Sequence, residues 1–166
     1  MLLQVKIRLT SPLLGDKMNT GGVRGFTRTK QISNDEVPLD SALWVWAITQ
    51  AAESLNIKIT GDMFRIPAKI QAPTLNLYNR RWTTKTGKKK VDMFESIRAG
   101  SVLTIPILLF STVPGSNAEN SVISEQDFIA ALALVGTFIG VSPWGSKFGY
   151  GRFEILEETK EVARDV

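Results

Sequence analysis

Apolar and polar residues alternate at the beginning of the chain. Leu3, Val5, Ile7 and Leu9 are separated by polar or charged side chains, and the alternation lasts to Thr10. A period of two residues is typical of a strand that buries one face and exposes the other. We therefore predict that the chain begins with a strand.

Between Asp40 and Asn56 the apolar residues recur at helical spacing. Asp40 is a residue type that caps helix N-termini, and a proline precedes it by two positions. The apolar residues at helical spacing are Leu43, Trp46, Ala47, Ala51 and Leu55, with Trp44 and Ile48 widening the same face. The pattern predicts a helix that buries both tryptophans in the core.

A second helix is predicted after Ser124. The sequence Ser124-Glu125-Gln126-Asp127 has the spacing of a capping box, and apolar residues then recur up to Ile139. Gly140 stands where a helix-ending glycine is expected. The longest apolar run, from Phe128 to Val141, is shorter than the roughly 20 residues that a membrane-spanning helix needs.

The segments on either side of the first helix predict loops and short strands. Residues 11–37 hold several glycines and few large apolar side chains, which favours a long loop. Ile57 to Thr60 and Phe64 to Tyr78 are rich in β-forming residues but are interrupted by glycine and proline. Such interruptions favour short or irregular strands.

Two further strands are predicted in the second half of the chain. Val91 to Arg98 is expected to be a short helical or irregular piece. Val102 to Phe110 is a predicted strand in which Pro106 indicates an edge position or a bulge. Phe153 to Leu156 is the last predicted strand, and the residues after it are charged.

The predicted elements follow the order β-α-β-β-α-β. This order favours an α+β, ferredoxin-like fold, with an antiparallel sheet, two helices on one face and a glycine-rich loop before the last strand. We expect a single domain over residues 1–157, with a long loop at 11–37, a basic hairpin tip at 79–90 and a charged tail at 158–166.

The amino-acid composition limits which catalytic and metal-binding groups the chain can use. The 166 residues include no histidine and no cysteine, so the usual general base and thiolate metal sites are excluded. The carboxylates are scattered without metal-ligand spacing, and we expect no metal and no cofactor. Residues 1–100 carry sixteen Lys and Arg against eight Asp and Glu, whereas residues 101–166 carry four against eight. A basic surface on the first two-thirds suits a polyanionic partner.

Two segments combine cations with aromatic residues. The first, from Arg80 to Lys90, is predicted to bind phosphates, with a tryptophan for stacking on bases. Its candidate residues are Arg80, Arg81, Trp82, Lys88, Lys89 and Lys90. A solvated hairpin tip is the alternative interpretation of this lysine run.

The second segment runs from Ser142 to Phe153 and contains three glycines. Glycine lets the backbone approach a ligand and leaves N–H groups free for an anion. The candidate residues are Gly145, Lys147, Gly149, Tyr150, Gly151 and Arg152. The alternative is a tight helix-to-strand turn that uses glycine only for its dihedral angles and buries Trp144, Phe148 and Phe153 as core.

The Gly-x-x-x-Gly-x-Gly-Arg-Phe pattern from Gly145 to Phe153 resembles the glycine-rich loop of the CRISPR-associated RAMP superfamily. The start of the chain, with Ser11-Pro12-Leu13-Leu14-Gly15 after the first strand, is also similar to that superfamily. The resemblance implies a ferredoxin-like or RRM-like fold and contacts between the loop and RNA. The same ending is similar to small uncharacterised phage and prophage proteins.

Three functions remain open from the sequence. The first is a cytoplasmic protein that binds nucleic acid, RNA or another single strand by preference, with the sheet as a platform, alone or within a homo-oligomer or larger ribonucleoprotein. The second is a metal-independent ribonuclease, with Tyr78 or Tyr150 exchanging protons and Lys147 or Arg152 stabilising charge. The third is a phage-type interaction or self-assembling protein without nucleic acid. A membrane partner is not expected.

Overall fold

The structure is a computed structural model that describes residues 1–17, 36–71, 76–110, 123–142 and 145–161. Nine strands are assigned in these ranges. They are β1 (Leu2–Leu9), β2 (Leu13–Lys17), β3 (Glu36–Pro38), β4 (Phe64–Arg65), β5 (Lys69–Gln71), β6 (Asn76–Thr83), β7 (Lys89–Ile97), β8 (Val102–Leu109) and β9 (Phe153–Glu161). The helices are α1 (Ser41–Ser54), α2 (Glu125–Leu134), which continues as a π-helical turn (Val135–Ile139), and the short α3 (Gly145–Phe148).

The central sheet has four antiparallel strands in the order β4-β8-β1-β9. Its inner face is lined by the alternating residues of β1 that the sequence predicts as buried. α1 and α2 contact each other and pack on this face. The chain is therefore an α+β protein whose arrangement is compatible with a ferredoxin-like fold.

Aromatic contacts join the helices to the sheet. The Trp44 ring of α1 stacks on Phe153 of β9 with centroids 5.8 Å apart, and Phe64 of β4 meets Phe128 of α2 edge to face at 5.3 Å. All four side chains are buried. Trp44 thus belongs to the core as predicted.

The outer side of α1 differs from the prediction. Trp46 and Leu55 are 48% and 40% exposed. The helix rests its other apolar stripe, which includes Trp44, Ala47 and Ala51, on the core. Both helix starts are as predicted, because Asp40 and Ser124 each accept a backbone hydrogen bond from the first turn.

The end of α2 is fitted closely to β9. A Cβ placed on Gly136 would lie 2.3 Å from the carbonyl oxygen of Phe153, so glycine is what allows the helix to approach the strand. Gly140 has a positive φ of 78°, as expected for a residue that ends a helix. β8 is not an edge strand, because it lies between β1 and β4, but β4 pairs only with Leu108 and Leu109, so Pro106 has its paired strand on the β1 side.

A second sheet of three strands, in the order β2-β7-β6, contains the basic hairpin. β6 and β7 pair from Asn76↔Ser96 to Thr83↔Lys89, and the connecting turn is closed by hydrogen bonds between Thr84 and Lys88. β2 pairs only with the part of β7 beyond Met93. The distal half of the hairpin is therefore a two-stranded ribbon within the described residues.

Four predictions about elements are wrong. Val91 to Arg98 is not helical or irregular, because most of it forms β7 with β6 as its partner. Residues 13–17 and 36–37 are strands rather than loop, and residues 18–35 of the predicted loop lie outside the described residues. Ile57 to Thr60 is not a strand.

The last correction concerns the charged tail. β9 continues to Glu161, so residues 158–161 belong to the sheet, while 162–166 lie outside the described residues. The reason is pairing with β1, where Lys6 and Arg8 form ion pairs at 2.9 Å with Glu157 and Glu154.

Candidate nucleic-acid interface

The strand register divides the basic hairpin into two faces. Tyr78, Arg80 and Trp82 of β6 share one face with Lys90 and Asp92 of β7, and we call this the inner face. Arg81 pairs with Val91 and Thr83 with Lys89, and these residues lie on the opposite, outer face. Neighbouring members of the predicted site therefore point in opposite directions, and Lys88 lies in the turn.

The inner face meets the glycine-rich segment. The guanidinium carbon of Arg80 lies 5.0 Å from the centre of the Phe148 ring in α3 and 5.9 Å from the Trp82 ring. Lys147 Nζ is 5.3 Å from the Phe148 ring, and Lys90 Nζ is 5.7 Å from the Trp82 ring. The two segments singled out in the sequence are thus joined by a ladder of alternating cations and aromatic rings.

Trp82 is fixed within this ladder. Its indole Nε1–H donates a hydrogen bond of 2.7 Å to Asp92 Oδ2 across the hairpin. The indole is therefore oriented by its strand partner while cations lie near its ring.

Two tyrosines form a second contact between the same segments. The Tyr78 and Tyr150 rings meet edge to face at 5.6 Å, and their hydroxyl oxygens are 3.4 Å apart. Burial raises the pKa of the Tyr150 hydroxyl to about 12, aided by its hydrogen bond with Tyr78 and opposed by the charge of Arg80. Tyr150 is consequently a neutral hydroxyl near neutral pH.

The glycine-rich segment is anchored to the residues that follow β1. The Gly151 N–H donates to the carbonyl oxygen of Pro12 at 2.7 Å, and the Arg152 N–H donates to Ser11 Oγ at 2.9 Å. Ser142 Oγ accepts from the Leu14 N–H at 2.9 Å. The two sequence motifs that resemble the RAMP superfamily are therefore in direct contact.

Gly149 and Gly151 serve the backbone geometry of this anchored segment. Gly149 and Gly151 have positive φ angles of 81° and 68°, and Gly151 lies against Ser142. The N–H of Gly151 is engaged within the chain, so the idea that it is free for an anion does not hold in this structure. Gly145 is the first residue of α3.

Arg152 lies behind the loop rather than beside the hairpin. One of its terminal nitrogens donates to the carbonyl oxygen of Phe138 at the end of the π-helical turn, and its guanidinium lies 3.6 Å from the position that a Cβ of Gly149 would take. Its contacts support the turn. The structure brings Phe148 and Tyr150 into contact with residues of the inner face, and Lys147 lies beside the Phe148 ring.

The sheet face turned away from the helices is a poor platform for bases. None of its strand residues is aromatic in the part of the chain that the structure describes. Its cations Lys6 and Arg8 are already paired with Glu157 and Glu154. Accessible aromatic side chains lie instead on the hairpin and α3, and also at Trp46 of α1 and Phe138 of the π-helical turn.

Sequence reasoning missed Phe148 as a site residue. The turn alternative placed it in the core with Phe153, but Phe148 is 51% exposed whereas Phe153 is 2% exposed, and Trp144 lies outside the described residues. The available signal was its position between Lys147 and Gly149, in a segment too short to bury every aromatic ring.

The described residues contain no group of three acidic side chains that could hold a metal ion. Within the same ranges, no helix is long and apolar enough to cross a membrane.

Among solved structures, the chain is similar to a Cas6 product complex, with 14% sequence identity and a TM-score of 0.34. The similarity covers 93% of this chain and 51% of the Cas6 chain, so this chain spans about half the length of that protein. No protein-family model matches the chain, and no curated protein matches it. The resemblance to the RAMP superfamily stays an expectation from the sequence motifs.

Proposed function

We propose that the chain binds single-stranded nucleic acid, RNA by preference, along the inner face of the hairpin and the adjoining residues Lys147 to Tyr150. The observation that carries this proposal is the contact of Arg80 with Phe148, which makes one surface of two segments that are far apart in sequence.

Alternating cations and rings match the chemistry of a single strand. Each nucleotide presents one phosphate and one flat base, and proteins bind such strands with basic side chains beside aromatic rings. The ladder runs in the order Lys147, Phe148, Arg80, Trp82 and Lys90. The alternative interpretation, a hairpin tip that is only solvated, does not explain why a hairpin cation lies over an aromatic ring of another segment.

The hairpin offers a matched test of this surface. Arg80→Ala with Lys90→Ala removes two charges from the inner face, and Arg81→Ala with Lys89→Ala removes two from the outer face. Both pairs change net charge equally, and each residue of the outer pair lies one position nearer the turn than its counterpart in the inner pair. Affinity for a single-stranded RNA is measured at several salt concentrations.

We expect the inner pair to weaken binding at least tenfold and to reduce the salt dependence, because each lost phosphate contact removes counterion release. The outer pair should change affinity much less. Equal losses from both pairs would show attraction to a diffuse positive charge, and no salt-sensitive binding by the unmodified protein would refute the proposal. Duplex RNA and single-stranded DNA of the same length test the preference for unpaired RNA.

A metal-independent ribonuclease is the second candidate, favoured by the Tyr78–Tyr150 pair beside Arg80. In this reaction the 2′-hydroxyl of a ribose gives its proton to solvent as its oxygen attacks the adjacent phosphorus, a 2′,3′-cyclic phosphate forms, and the bond to the 5′-oxygen breaks. Because burial raises its pKa to about 12, the Tyr150 hydroxyl keeps its proton near neutral pH and holds it available for that leaving oxygen.

Labelled RNA incubated with the protein and a chelator tests this candidate. Cleavage at defined positions that Tyr150→Phe abolishes, with RNA affinity retained, would support it. Intact RNA under conditions of full binding would leave binding as the function.

A further inference from the structure

Phe148 occupies an unusual place for an apolar side chain. It is 51% exposed, and cations lie near its ring on both flanking segments, with Arg80 at 5.0 Å and Lys147 at 5.3 Å from the ring centre. Single exposed apolar residues are common on protein surfaces and need no explanation. An exposed ring between two cations that come from separate elements is a more specific arrangement.

The backbone holds this ring in place. α3 ends at Phe148, and the positive φ of Gly149 turns the chain at once towards Tyr150, whose hydroxyl meets Tyr78. Contacts with the hairpin therefore secure the ring itself through Arg80 and the residues after it through Tyr150. A ring that is positioned before a ligand arrives loses little conformational entropy on binding.

We propose that Phe148 is a stacking subsite for one unpaired nucleobase, and that Arg80 and Lys147 hold the phosphates on its two sides. This inference rests on the proposed function and adds to it a position for a base. The ligand class follows from the accessible ring, because a flat base stacks on an aromatic side chain only when its own face is free of a neighbouring base pair.

Stacking and phosphate binding respond differently to salt. Losing a phosphate contact lowers both the affinity and its salt dependence, whereas losing a stacked base lowers the affinity alone. Phe148 and its flanking cations are therefore separable by one titration series, although they are in contact.

The test uses Phe148→Leu, Phe148→Trp and the control Trp46→Leu, which removes a ring of similar exposure from α1. The probes are an oligouridylate and an abasic ribose-phosphate oligomer of the same length. We expect Phe148→Leu to bind oligouridylate about tenfold more weakly with an unchanged salt dependence, since stacking contributes on that scale. Phe148→Leu should bind the abasic oligomer as the unmodified protein does.

Phe148→Trp should bind oligouridylate at least as tightly as the unmodified protein, and Trp46→Leu should bind it equally. Unchanged affinity of Phe148→Leu, with the loss in the Arg80 and Lys90 pair still present, would overturn the subsite and leave the proposed function standing. Weaker binding to both oligomers would also overturn it, because the ring would then support the cations only. Failure of the unmodified protein to bind either oligomer would refute the proposed function itself.

Discussion

Gly151 is held in a backbone conformation and a space that together suit only glycine. Its φ is 68°, and a Cβ would lie 2.5 Å from Ser142 Cβ and 2.7 Å from Ser142 N. We predict that Gly151→Ala lowers the free energy of unfolding by about 2 to 4 kcal/mol, combining backbone strain with overpacking. Urea unfolding followed by circular dichroism measures this loss.

Gly100→Ala is the matched control for this prediction. Gly100 also has a positive φ, 91°, but a Cβ there would meet nothing within 4 Å. Only backbone strain is expected, at about 1 kcal/mol. If the two variants lose equal stability, the contact with Ser142 is not what requires glycine at position 151.

The Tyr150 hydroxyl makes stability depend on alkaline pH. Burial raises its pKa to about 12 from the usual 10.0, so the folded protein keeps a proton that the unfolded chain releases. Its contribution to stability is complete below pH 10 and is lost as the pH rises towards 12. The chain has two tyrosines, so tyrosinate absorbance in Tyr78→Phe reports Tyr150 alone.

In that variant we expect a Tyr150 midpoint above 10.0 but below that of the unmodified protein, because burial remains while the hydrogen bond with Tyr78 is lost. In denaturant the midpoint should return to the usual value. A folded Tyr78→Phe protein that titrates as the denatured chain does would show that Tyr150 is solvated, and would remove the reason to assign it a proton-donor role.

At the scale of elements, the sequence predicts best what local interactions decide. The start of α1 at Asp40 and of α2 at Ser124 follow from side chains that cap their own first turns, and β1 follows from its alternation. β2 was missed because it becomes a strand by pairing with β7, far away in the sequence, and β7 was missed because its pairing with β6 extends well beyond the predicted hairpin tip. Propensity contains no information about such partners.

The same limit applies to the candidate site. Its two segments could be identified from composition, since cations and aromatic residues cluster in each. The sequence does not predict which of Arg80 and Arg81 faces the second segment, because a shift of one residue in register exchanges the two faces of a strand. Phe148 was misplaced for a related reason, as its exposure depends on where the hairpin crosses α3.

At the scale of the whole molecule, charge and stability are distributed unevenly. Glutamates of β9 pair with the cations of β1, so the acidic end of the sequence neutralises part of the central sheet. On the hairpin, Arg80 and Lys90 lie near the Trp82 ring. Within the described residues, the hairpin therefore holds the densest group of cations from the first two-thirds of the sequence.

The outer face of the ribbon exposes apolar side chains as well. Leu77 and Val91 are 62% and 60% exposed, so no further layer covers the outer face at these positions. Two-stranded ribbons have little stability of their own in water. The contacts with Phe148 and Tyr150 thus hold the hairpin as much as they form the candidate site.

Hydrogen exchange should show this division. We predict that backbone amides of Asn79–Thr83 and Lys89–Met93 exchange by local opening, much faster than those of β1, which is paired on both sides in the core sheet. Addition of oligouridylate should slow exchange in the hairpin and in residues 147–150 together, because the proposed strand bridges them. Exchange in the hairpin as slow as in β1 without RNA would contradict a locally opening ribbon, and protection of the hairpin alone would contradict a ligand that spans both segments.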